Sequence, residues 1–269
     1  MAGAKQQGRY GALVAKLFKD RYRPGKTHVP FTRDDLRTAA NALRIVLPKN
    51  LGDVVYSVRY RADLPDAIVK TEHGGRKWMI LGEGIAKYAF RLMKLEPIVP
   101  NPGMSVVKIP DATPEIVARY AQSDEQALLS KVRYNRIIDI FLGIATFSLQ
   151  NHLRTTVEGI GQVELDELYV GVDRRGRQYV IPVQAKGGSD KHSPVQTLQD
   201  IACCREKFDG LVCRPISAQF MDNETIAIFE LTEEQDSVRI VEEKHYKLVP
   251  ASQISKKDLE AYGRARPDL

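Results

Sequence analysis

Residues 161–188 read GQVELDELYVGVDRRGRQYVIPVQAKGG, and this stretch decides the fold. Two β-rich runs, VELDELYVGV and QYVIPVQAK, flank DRRGR, where a glycine among charged residues makes a turn between antiparallel neighbours. With the turn centred near Arg175, residues whose numbers sum to about 350 lie opposite each other, so Asp166 faces Gln184 and Glu164 faces Lys186. Side chains alternate along a strand, so Glu164 and Asp166 share one face with Gln184 and Lys186. Leu168, Val170, Val172, Val180 and Pro182 make the rest of that face apolar. A polar cluster is therefore expected at the edge of a core, and a one-residue slip in register would destroy it.

Partly buried charge is costly unless paired or bound to metal, so two carboxylates, an amide and an ammonium at one place call for a reason other than packing. The set suits phosphodiester hydrolysis. Asp166, Glu164 and the Gln184 carbonyl can hold Mg²⁺, a hard ion that keeps several waters, and Lys186 can orient an attacking water or stabilise charge on phosphorus. The bland alternative is a set of surface ion pairs on an edge hairpin.

These residues resemble the PD-(D/E)xK nuclease superfamily, in which a hairpin presents an Asp and then an acidic-x-Lys triplet. Gln184-Ala185-Lys186 is similar to the QxK variant of Mrr-type restriction endonucleases, with Asp166 in the aspartate's place. Over roughly residues 125–220, the resemblance implies a restriction-endonuclease-like core, Mg²⁺ as cofactor and double-stranded DNA as substrate. Gln184 departs from the usual acidic residue and removes one negative charge, which Glu164 is left to restore. The family often adds a Glu from the preceding helix, for which Glu125 and Asp139 are candidates. Some members use a glutamine and tyrosine on the following helix to contact DNA. Gln196 and Gln199 stand there, with Cys203 in place of the tyrosine.

Outward from the hairpin, EQALLSKVRYNRIIDIFLGIATFSLQNHLRTTV reads as two helices broken near Gly143, which puts His152 on a helix beside Asn151 and Arg154. SPVQTLQDIACCREKF reads as a helix, LVCRPISAQFM, TIAIFELT and SVRIVEE as strands, and ISKKDLEAYGRARPDL as a closing helix. The order is α/β, with a mixed sheet flanked by helices. The segment 96–115, interrupted by five prolines, suggests a boundary between residues 1–110 and 111–269.

The first part carries 20 Lys+Arg against 9 Asp+Glu and the second 20 against 25, so a basic module is joined to an acidic one within a chain of net charge +6. That division suits a nucleic-acid binder whose second half holds a carboxylate metal site. GALVAKLFKDRY is helical up to Arg23-Pro24-Gly25, Thr32 caps DDLRTAANALRIVL, LGDVVYSVRYRA is a short element, and TEHGGRKWMILG is a hairpin turning at Gly74-Gly75. Helices followed by a basic hairpin give a mainly helical, winged-helix-like domain. Arg33, Arg37, Arg44, Lys49, Arg59 and Arg61 are its candidates for phosphate or base contacts.

The 269 residues contain no apolar run near the roughly 20 that span a bilayer, and MAGAKQQGRYGALVAKLFKDRYR lacks a signal-peptide core, so a cytoplasmic protein without a membrane partner is expected. Cys203, Cys204 and Cys213 are too few for a disulfide framework or a four-ligand zinc site and read as reduced core thiols. The expectation is a type II-like, site-specific deoxyribonuclease, working as a homodimer because a palindromic site has two strands to cut. Two alternatives stay open. One is a DDE-type transposase, since Glu164-Leu165-Asp166-Glu167 followed by Tyr169-Val170-Gly171 is similar to a first acidic motif of some insertion-sequence enzymes; the other is a non-catalytic DNA-binding regulator.

Overall fold

The computed structural model describes residues 2–60, 64–94, 98–120, 125–187, 192–221, 225–234 and 237–264, and within these the side chains of residues 2–7, 56, 59, 60 and 264 are not described. The N-terminal part contains α1 (Ala2–Arg21), β1 (His28–Thr32), α2 (Arg33–Leu43), α3 (Gly52–Tyr60), α4 (Asp66–Val69), β2 (Arg76–Gly82) and β3 (Lys87–Lys94). Its three strands form an antiparallel sheet in the order β1–β3–β2. Thr32 makes the expected cap: its hydroxyl accepts from the Asp35 backbone N–H while the Asp35 carboxylate accepts from the Thr32 N–H. Leu13, Leu17 and Phe18 of α1, Leu36 and Ala40 of α2, and Val54, Val55 and Val58 of α3 bury against Trp78, Ile80 and Phe90. The Phe18 ring meets the edges of Trp78 and Phe90 at 5.0 and 5.1 Å between centroids.

The hairpin here does not turn at Gly74-Gly75. Both glycines have left-handed backbones, but they lead into β2, and the turn lies at residues 83–86, with Gly82 paired to Tyr88. Thr71–His73 are too few and too polar to partner β2, whereas β3 supplies Phe90 and Leu92 to the core that holds Trp78 and Ile80.

The C-terminal part contains β4 (Val106–Pro110), α5 (Glu115–Tyr120), α6 (Glu125–Tyr134), α7 (Ile137–Leu142), β5 (Ala145–Val157), β6 (Gly161–Val172), β7 (Gln178–Lys186), α8 (Pro194–Lys207), β8 (Val212–Cys213), β9 (Ile216–Phe220), β10 (Thr225–Glu234), β11 (Ser237–Val249) and α9 (Lys256–Arg264). Eight strands make a mixed sheet in the order β4–β11–β10–β9–β7–β6–β5, with β8 also beside β7. The β4–β11, β7–β8 and β7–β9 pairs are parallel and the others antiparallel. One face buries Leu128, Val132, Ile137 and Ile138 of α6 and α7 on Ile181, Val183 and Ile228, while Cys203 and Cys204 of α8 pack with Leu165, Leu168 and Val180. The chain is thus α/β, a large mixed sheet flanked by helices. The proline-rich segment contributes to this sheet through β4, and Ile98 packs with Phe229.

Residues 145–157 are strand β5, not the second half of a broken helix. Gly143 does end α7, at a left-handed φ of 66°, but the chain then extends and pairs with β6. β5 is the outermost strand and most of its side chains reach solvent, so a buried face leaves no alternating imprint on its sequence.

The two parts touch where the β2–β3 turn meets the β5–β6 turn. A Cβ added to Gly82 would stand 2.1 Å from the Ile160 carbonyl oxygen, and one added to Gly161 would stand 3.5 Å from the Gly84 carbonyl oxygen. Gly161 begins the strand that carries Asp166.

Candidate active site

The β6–β7 hairpin has the expected register: Val172 pairs with Gln178, and the last pair is Glu167 with Val183. Beyond it the β6–β7 ladder stops, while β7 continues to Lys186 with β9 on its other edge and β6 continues along β5. In the opening fork the Asp166 carboxylate accepts the Ala185 backbone N–H at 3.2 Å. Burial pushes the Asp166 carboxyl above its usual range, and the Lys186 ammonium, the Ala185 N–H and His152 pull it back only in part.

The β5–β6 ladder is recorded on both sides of His152 and Asp166 but not at them, and His152 has a left-handed φ of 49°. A further register shift falls between Ser148 and Gln150. Such irregularities re-aim side chains, and here Leu165 and Leu168 bury in one cluster although strict alternation would put them on opposite faces. His152 therefore sits on an exposed strand, its Nδ1 4.0 Å from Glu164 and its charge acting on Asp166, and not on a helix.

Lys186 is largely buried, with 15% of its side chain exposed, and pairs with Glu125 at 3.4 Å. Of the two helical acids considered from the sequence, Glu125 at the start of α6 reaches the cluster. Asp139 instead accepts from the Thr146 N–H and hydroxyl, both at 2.8 Å, and ties α7 to β5.

Glu164 does not join the group. Its cross-strand neighbour is Arg154 of β5, which it pairs at 3.0 Å, and it is largely solvent-facing. Facing Lys186 would require β6 and β7 to stay paired to their ends, and their ladder stops at Glu167–Val183. Its charge still acts on Asp166, raising the carboxyl further.

Gln184 is 2% exposed. Its amide Nε2 donates to Asp200 Oδ2 on α8, while its carbonyl Oε1 is buried with no partner, as is Asp200 Oδ1. Burial drives the Asp200 carboxyl well upward, against the Gln184 hydrogen bond, and the Asp166 charge adds to the rise. Beside Gln184 on β9 is Ser217, joined to His192 Nδ1 at 2.8 Å, while His192 Nε2 meets the Thr197 hydroxyl at 2.8 Å. Burial lowers the His192 imidazole to about 3, with Lys186 adding to the effect, so the ring is neutral. A second buried carboxylate, Glu167, accepts from Arg133 Nε of α6 at 2.8 Å and from the hydroxyl of Tyr169, its neighbour on β6, at 2.9 Å.

Asp200 and His192 carry no sequence motif. The available signal was an acid on the apolar face of a helix: Asp200 lies one turn from Cys203 and Cys204, all three buried.

The expected nucleic-acid contacts are placed unevenly. Arg37, Arg44 and Lys49 are exposed, Arg37 pairing with Asp34 at 2.6 Å and Arg44 closing α2 in a left-handed conformation. Arg33 is half-buried and its Nε donates to the Tyr88 hydroxyl at 3.4 Å. The side chain of Arg59, on α3, and the whole of Arg61 lie outside the described residues. Gln196 is half-buried, but Gln199 is buried in α8 against the sheet, which withdraws it from any DNA surface.

Among the described residues no three or more His, Cys, Asp or Glu are grouped to hold a metal, and no helix is long and apolar enough to cross a membrane. Comparison with family models, with curated proteins and with solved structures finds no match for the chain.

Proposed function

We propose that this chain is a magnesium-dependent, sequence-specific endonuclease of the type II restriction kind, hydrolysing double-stranded DNA at a PD-(D/E)xK-like site. One observation carries the reading: at the open end of the β6–β7 hairpin, Asp166 reaches the backbone between Gln184 and Lys186, in the register that the residues themselves predict. Two charged groups and an amide brought together at a partly buried fork make poor packing and a serviceable hydrolytic site.

The donors fit a hard, oxygen-seeking cation. A buried carbonyl without a partner costs about 1–3 kcal/mol, and Gln184 Oε1 would recover that by binding an ion alongside the Asp166 carboxylate. With few protein ligands, the rest of the coordination falls to water and phosphate, as Mg²⁺ prefers. When bound, the ion supplies Lewis acidity toward the phosphate and its nucleophile. Lys186 orients the attacking water or steadies charge on the phosphoryl oxygens, and Glu125 holds its ammonium in place.

The helix–strand–helix–helix–helix–strand–strand order of the N-terminal part, in which the third helix after β1 is the single turn α4, with sheet order β1–β3–β2, supports a winged-helix-like DNA-recognition module. Its exposed Arg37, Arg44 and Lys49 would be the groups to meet phosphates. A homodimer would give each strand of a palindromic site its own active centre.

The test is incubation of the purified chain with phage DNA in Mg²⁺ or in EDTA. Discrete fragments that need Mg²⁺ are expected. Strand-transfer products would instead indicate a transposase, and a mobility shift without cleavage a regulator.

A further inference from the structure

We propose that Asp200 is a positioning residue that fixes the orientation of the Gln184 amide, so that the carbonyl end and not the NH₂ end faces the cation. The inference rests on the nuclease reading and deepens it. A side-chain amide has two ends of opposite polarity and nearly equal shape, so burial alone does not decide which way it points. At residue 184 the choice matters, because an NH₂ group turned toward a divalent ion repels it and a carbonyl oxygen binds it.

The structure supplies the deciding contact. Gln184 Nε2 donates to Asp200 Oδ2, both side chains are 2% exposed, and Gln184 Oε1 is left buried with no protein partner. A carboxyl oxygen can accept that hydrogen bond whether or not its companion oxygen carries a proton, so the arrangement does not depend on ionisation. α8 holds Asp200 rigidly: Val195, Ile201, Cys203 and Cys204 bury around it, and the neighbouring His192, Thr197 and Ser217 satisfy one another. Asp166 accepts the N–H of Ala185, the residue next to Gln184 on β7, so the anchored amide and the carboxylate meet at adjacent positions of one strand. An acidic residue in place of Gln184 would present oxygen either way round and need no such anchor, which gives the amide at 184 and the acid at 200 a common reason.

The experiment is an Mn²⁺ titration followed by electron paramagnetic resonance, with Asp166→Ala as the reference for site-specific binding and circular dichroism to check folding. Asp200→Ala is expected to weaken Mn²⁺ binding by about 10-fold or more, the usual effect of removing a partner that orients a ligand, while Asp200→Asn, which keeps an acceptor oxygen, stays within about 3-fold of the parent. The donor and acceptor can also be exchanged. Gln184→Glu alone sets two buried carboxyls against each other and weakens binding, and adding Asp200→Asn supplies an NH₂ group to the new carboxylate and restores it. If Asp200→Ala does not fold, this exchange decides. Parent-like binding by folded Asp200→Ala, a loss in Asp200→Asn as large as in Asp200→Ala, or a double variant no better than Gln184→Glu would overturn the inference while leaving the nuclease reading intact. A parent protein without Asp166-dependent Mn²⁺ binding would remove both.

Discussion

Gly82→Ala tests how the N-terminal part is held against the strand that carries Asp166. The added Cβ would stand 2.1 Å from the Ile160 carbonyl oxygen, and real Cβ contacts essentially never fall below 3.0 Å. Both partners are backbone, so no side-chain rotation relieves the clash, and the two turns must separate by about 1 Å. Forced shifts of this kind in a packed region cost about 1–3 kcal/mol. For a chain of this size each kcal/mol lowers the melting temperature by about 2–4 °C, so a fall of several degrees is expected. Gly11→Ala is the control: its new Cβ meets only Pro65 Cγ at 3.8 Å, inside α1, and the substitution should stabilise by about 0.5–1 kcal/mol through helix propensity. Thermal and urea denaturation of the two variants provide the comparison. A Gly82→Ala protein as stable as its parent would refute the contact between the turns.

Other consequences follow from the buried charges and the basic face. Arg133→Ala leaves the fully buried Glu167 carboxylate held by the Tyr169 hydroxyl, and should cost about 1–3 kcal/mol in urea denaturation; Arg133 is itself more than a third exposed, which keeps the figure from the upper range for buried ion pairs. His192 is neutral in the folded chain down to about 3 but titrates near 6.5 when unfolded, so its contribution is intact above 6.5 and is lost as pH falls from there toward 3, at up to about 1.4 kcal/mol per pH unit. His192→Asn should flatten the melting temperature over that window, and an unchanged pH profile would count against the buried neutral ring. Replacing Arg37 or Arg44 by Ala should weaken DNA binding across sequences and reduce the slope of log affinity against log salt by about 1 each; an unchanged slope would take these residues off the interface.

Much of this architecture was legible because local chemistry and tertiary need agree. DRRGR admits one turn, the runs beside it alternate, and the register that follows is the one observed. Thr32 and Asp35 announce the start of α2 through a reciprocal cap that needs no partner from elsewhere in the chain. The failures have physical causes too. β5 is an outer strand kinked at Ser148–Gln150 and His152, so it lacks the periodicity that a half-buried strand imprints. Gly74 and Gly75 do turn the chain, but what lies on either side of a turn depends on which distant residues can cover Trp78 and Ile80. Glu164 faces Lys186 only if the hairpin stays paired to its ends, and the pairing of Glu164 with Arg154 on β5, beside an irregularity at Asp166, is invisible from within the hairpin. Asp200, far along the chain and outside any motif, reaches the site only because α8 lies back over the sheet.

The central claim concerns Asp166 and Lys186 together. The measurement that tests it most directly is single-turnover cleavage of a defined duplex in Mg²⁺ by Asp166→Asn and Lys186→Ala, with duplex affinity measured in parallel in Ca²⁺. Each variant is expected to keep the parent's DNA affinity within a few-fold and to lose about 10²-fold or more in cleavage rate. A variant that binds and also cuts at the parent's rate would show that the chemistry lies elsewhere in the chain.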